Sequence, residues 1–157
     1  DVMRAEGLLR SALDAEPWLP TARLSLAGIE EDRRAASHAA PSERELAFLA
    51  ETARRFPRLP NAHVMLGTAL LEIGRHDEAR VAFEAEIQLR PLDVEAPFRL
   101  ARMHMEASRT DSARSVLSEM RFRWEAHWRR FPGFAPVAIA YAGLLFDILG
   151  DDAAARA

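Results

Sequence analysis

Residues 60–91, PNAHVMLGTALLEIGRHDEARVAFEAEIQLRP, decide how the chain folds. The stretch reads as two helices joined by a tight turn. Leu66-Gly67 falls midway along the first helix. Gly74 ends it, because glycine accepts the left-handed conformation of a helix stop. Ala79 and Phe83 lie four apart, on one face of the second helix. Pro91 closes that helix.

Numbered from Pro60, Leu66-Gly67 takes positions 7 and 8, Gly74 takes 15, Ala79 takes 20, Phe83 takes 24 and Pro91 takes 32. The ordered set resembles the tetratricopeptide repeat (TPR), a helix–turn–helix unit of 34 residues. Two positions depart from the family pattern. His63 stands where the family has Trp at position 4, and Leu70 stands where it has Tyr at position 11.

The pattern recurs. Leu100 and Ala101 follow Leu66 and Gly67 by 34, and Ala113 and Leu117 follow Ala79 and Phe83 by the same offset. Ala142-Gly143, Phe146, Gly150 and Ala155 take positions 7, 8, 11, 15 and 20 of a further repeat from Pro136. Residues 1–17 match the second helix of a repeat, with Ala5, Leu9 and Ala12 in register. Residues 20–57 form a divergent repeat. Its charged run Glu30 to Arg34 reads as a solvated helix face, and Ala35 to Pro41 reads as a short insertion. Ser42 and Glu45 have capping-box spacing. Leu46, Leu49, Ala50, Ala53 and Phe56 recur at helical steps. In 94–132, Asp93 reads as the N-cap, Pro97 falls in a first turn, and the second helix overruns to Arg130.

The resemblance covers essentially the whole chain and implies an all-α fold. About eight helices would stack as hairpins into a right-handed superhelical solenoid, each pair burying the apolar face of its neighbour. Read this way, 1–157 is one domain: 1–17, 20–57, 60–91, 94–132 and a repeat cut short at 136–157. The incomplete end repeats point to a piece of a larger protein. They also lead us to expect self-association through exposed residues such as Leu8, Leu9 and Leu145.

Composition excludes several functions. There are 157 residues, no Cys and a net charge of −3. The lack of Cys removes disulfides, thiolate metal sites and a thiol nucleophile. All 21 basic residues are Arg, as in the products of GC-rich bacterial genomes. The negative net charge argues against nucleic-acid binding. No apolar run reaches the roughly 18 residues needed to span a membrane. No P-loop, GxGxxG, HExxH or GxSxG motif occurs, so no catalytic, cofactor or metal site is assigned. His63 and His104 read as core or interface residues. Met103-His104-Met105 is no metal site, because adjacent residues do not share a helix face. In Arg121 to Arg130, Leu117, Met120, Trp124, Trp128 and Phe131 read as one buried stripe. The charges at Arg121, Glu125 and Arg129, and at Glu119 and Arg123, neutralise one another across helix turns.

Function follows from the resemblance. In TPR proteins, positions 2, 5, 9, 12 and 13 of each first helix face a concave groove that binds protein or peptide segments. Carried over, these are Thr21, Leu24, Gly28, Glu31 and Asp32; Asn61, Val64, Thr68, Leu71 and Glu72; Glu95, Phe98, Arg102, Met105 and Glu106; and Val137, Ala140, Leu144, Asp147 and Ile148. Only Arg102 is basic, whereas six of these residues are acidic. The implied partner is an apolar protein or peptide segment with basic flanks, gripped by Leu24, Val64, Leu71, Phe98, Met105 and Leu144. The competing expectation is a substrate-holding or regulatory segment of a larger enzyme. Glycosyltransferases, sulfotransferases and kinases carry such arrays.

Overall fold

A computed structural model describes residues 2–131, with only the backbone at Trp128. The readings made above for Pro136, Ala142-Gly143, Leu144, Leu145 and Asp147 lie outside the described residues. All seven elements among the described residues are helices: α1 Val2–Ala15, α2 Pro20–Ser37, α3 Glu43–Arg55, α4 Ala62–Glu72, α5 His76–Leu89, α6 Glu95–Glu106 and α7 Thr110–Arg130. The fold is all-α and built of TPR-like helical hairpins. The chain divides into two compact units, 1–89 and 90–157.

In the first unit, the α4–α5 hairpin follows directly from residue chemistry. Gly74 adopts φ 77°, and the Arg75 N–H donates to the Leu70 carbonyl at 2.9 Å. This six-to-one bond satisfies an orphan carbonyl at the end of α4. α2 ends in the same way, with His38 at φ 53° and the Ala39 N–H bonded to the Arg34 carbonyl at 3.1 Å. The expected insertion at Ala35 to Pro41 is therefore only partly a loop. Ala35–Ser37 continue α2, because Ala-Ala-Ser costs the helix little.

Ser42 and Glu45 start α3 with a complete capping box: the Ser42 N–H donates to Glu45 Oε2 at 2.7 Å, and the Glu45 N–H donates to Ser42 Oγ at 3.3 Å. Leu26, Leu46, Leu49, Ala53, Leu70, Ala79 and Phe83 make the core. Phe83 is fully buried against Gly67, where a Cβ would meet the ring at 2.7 Å.

The second unit repeats the hairpin with α6 and α7. Ser108, 34 residues after Gly74, takes the left-handed position at φ 58°, and the Arg109 N–H bonds to the His104 carbonyl at 2.8 Å. The N-cap of α6 is Val94, one residue after the expected Asp93, whose Oδ2 still accepts from the Ala96 N–H of the first turn at 3.0 Å. Ala101, Ala113, Leu117, Met120 and Trp124 form one core cluster. Phe131 corrects the expected stripe: it is 50% exposed. α7 has 21 residues and α6 only 12, so α6 has nothing to set against the far end of α7.

Candidate interaction surface

The first-helix positions predicted to meet a partner do not share one environment. On α2, Leu24, Gly28 and Glu31 are half-buried, and Thr21 and Asp32 are exposed. On α4, Asn61 and Glu72 are exposed and Leu71 is half-buried. Val64 and Thr68, in contrast, are buried at 5% and 7% exposure. The Thr68 hydroxyl donates back to the Val64 carbonyl at 2.9 Å. These two residues support the surface from beneath and present nothing to a partner. In the second unit Phe98 and Glu95 are half-buried, and Arg102, Met105 and Glu106 are exposed. Met105 contrasts with its neighbours Met103 and His104, which are buried.

The acidic residues are less free than their sequence positions suggest. The Arg34 guanidinium is only 11% exposed and pairs with Glu72 across α2 and α4, while its Nε reaches Glu45 Oε1 at 3.1 Å. Glu95 pairs with Arg99 at 2.6 Å, and Glu106 with Arg102 at 3.5 Å. Asp32 makes no ion pair among the described residues. The charged run of α2 is thus no simple solvated face. Arg34 turns inward to tie three helices together, and Arg33 pairs with Glu6 of α1.

Among the described residues no three His, Asp or Glu side chains gather into a metal site, and no helix is long and apolar enough to cross a membrane.

The model of the tetratricopeptide repeat family matches residues 45–92 and 64–127, more than half of the chain. The chain belongs to the tetratricopeptide repeat family. Solved structures of MamA share its fold. One, MamA MSR-1 C2, is 21% identical, covering 80% of this chain and 69% of that one, with a TM-score of 0.60. Another, a crystal structure of MamA, is 16% identical, covering 98% and 91%, with a TM-score of 0.64. No curated protein sequence matches. As a TPR protein, the chain is a protein-interaction scaffold, and its fold is that of a non-catalytic module. Neither the family match nor these neighbours supports an enzyme segment.

The TPR register left two buried charged residues undetected. Arg23 is 7% exposed; its Nε donates to Thr52 Oγ1 at 2.7 Å, and its guanidinium lies over the Phe48 ring at 3.9 Å. Burial pushes its pKa down, though an Arg this basic keeps its charge. Glu86, 1% exposed, accepts from the Asn61 N–H at 3.4 Å, beside the left-handed entry to α4. One signal was available for Glu86. It follows Phe83 by three, on the buried stripe of α5.

Proposed function

We propose that the first helices carry the partner-binding surface and that the partner is a protein segment, apolar in the middle with basic flanks. The proposed repeats are 1–17, 20–57, 60–91, 94–132 and 136–157. In the first unit the contact residues are Leu24, Glu31, Asn61, Leu71 and Glu72, backed by Val64 and Thr68. In the second they are Phe98, Arg102 and Met105. Leu144 and Asp147 belong to the same register.

The observation that carries this reading is the exposed Met105 (36%) and the half-buried Phe98, two turns apart on one face of α6. A flexible thioether and an aromatic ring on one helix face accept varied apolar side chains. Asp32 supports the basic flanks, since it makes no ion pair among the described residues. Glu72, Glu95 and Glu106 contribute only so far as a partner cation competes with Arg34, Arg99 and Arg102.

Titration of labelled peptides into the chain at low and high salt tests the proposal. An apolar peptide with basic flanks binds best, and salt weakens it by screening. Phe98→Ala and Asp32→Lys each lower its affinity, about tenfold for Phe98→Ala, equivalent to roughly 1.4 kcal/mol. Binding indifferent to both substitutions overturns the assignment.

A further inference from the structure

A cavity of about 350 Å³ lies within the first unit, between α1, α2 and α3. Leu26 and Phe48 give it an apolar floor. Arg10, Arg33, Arg34 and Arg44 surround that floor, together with Glu30 and Glu45. None of the first-helix contact positions lines it. On α2 the cavity uses Leu26, Glu30 and Arg33, each two residues beyond Leu24, Gly28 and Glu31. At about 100° per residue a step of two is a turn of roughly 200°, so the two sets occupy opposite sides of α2.

Three of the four guanidiniums are engaged inside the molecule. Arg10 reaches Glu6 at 2.9 Å and Glu30 at 3.1 Å, Arg33 pairs with Glu6, and Arg34 holds Glu45 and Glu72. Arg44 makes no hydrogen bond or ion pair among the described residues. It also sits in the first turn of α3, where a cation opposes the helix dipole, so helix stability does not explain its place at the cavity rim.

We propose that this cavity is a second recognition site, taking the carboxylate of an acidic residue flanked by apolar side chains in a protein partner. A planar guanidinium matches a carboxylate in a two-bond fork. Arg33 at the cavity already makes such a fork inside the molecule, reaching both carboxylate oxygens of Glu6. One uncommitted positive charge suits a monoanion better than a phosphate dianion. The Leu26–Phe48 floor gives the flanking apolar side chain a surface that a free inorganic anion would leave unused.

The test uses the full 157-residue chain and two fluorescent peptides. One alternates Leu with Asp and Glu; its isostere replaces the acids by Asn and Gln. The acidic peptide binds at least about tenfold more tightly than the isostere. Arg44→Glu removes that preference, Arg44→Lys keeps part of it, and Phe98→Ala leaves it unchanged. Failure here therefore leaves the first-helix assignment standing. Equal affinity for both peptides, indifference to Arg44→Glu, or equal sensitivity to Phe98→Ala overturns the proposal. Efficient displacement of the acidic peptide by inorganic phosphate overturns the choice of a protein carboxylate.

Discussion

At Gly67 a single missing methyl group fixes how two helices cross. A Cβ there would stand 2.7–2.9 Å from three atoms of the Phe83 ring, and the ring is fully buried. Gly67→Ala therefore forces α4 and α5 apart or drives the ring off its rotamer, at a cost of about 1–3 kcal/mol, and Gly67→Leu costs more. Urea unfolding reads this directly, and an unchanged midpoint contradicts the crossing. A second single-residue effect lies at the start of α3. Desolvation, the largest single influence on Glu45, raises its pKa. Hydrogen bonds from the Ser42 N–H and hydroxyl and the charge of Arg34 outweigh it and hold the carboxyl below its ordinary 4.5. A carboxyl depressed in the folded state stabilises the fold above its unfolded pKa, and that contribution is lost as pH falls through the folded value. Ser42→Ala should cost about 0.5–2 kcal/mol near neutrality. Its unfolding free energy should also fall less between neutral pH and roughly pH 3 than that of the parent. Parallel acid-side slopes for the two proteins contradict the role given to Ser42. Both residues were legible in the sequence, because a shared repeat position and a three-residue capping spacing are local signals.

The helices themselves were legible where glycine, proline and caps punctuate them. They were less so where the punctuation is unusual. α2 runs on to Ser37 because its left-handed stop is His38 and not glycine, and nothing in Ala-Ala-Ser marks an end. The stripe on α7 was legible through Trp124. Helical spacing alone could not show where facing surface runs out. At 1.5 Å per residue α7 is about 32 Å long and α6 about 18 Å, so the periodicity of α7 continues past the reach of α6. Two substitutions on α7 separate these cases. Trp124→Ala empties part of the second unit's core and should cost about 3–5 kcal/mol. Phe122→Ala, at a residue 71% exposed, should stay within about 0.5 kcal/mol of the parent. Thermal or urea unfolding of the pair checks both, and similar losses contradict the assigned faces.

Across the molecule, the proposed recognition depends on which first-helix residues reach solvent and which charges remain uncommitted. The repeat register named the positions. It could not show that Val64 and Thr68 are covered, since that depends on how α3 and α5 close over α4. Nor could it show that Glu72 is met by Arg34, 38 residues earlier in the chain. The proposed partner surface is therefore narrower than the register implies, and its acidic character is partly spent on internal ion pairs. Photo-crosslinking measures this most directly. An apolar peptide with basic flanks, carrying a photoreactive group at its centre, is bound to the chain, and the attachment sites are mapped by mass spectrometry. The account predicts attachment at Leu24 and Leu71 for peptide bound to the first unit, and at Phe98 and Met105 for peptide bound to the second. Attachment concentrated on the exposed second-helix residues Val81 and Phe122 contradicts it.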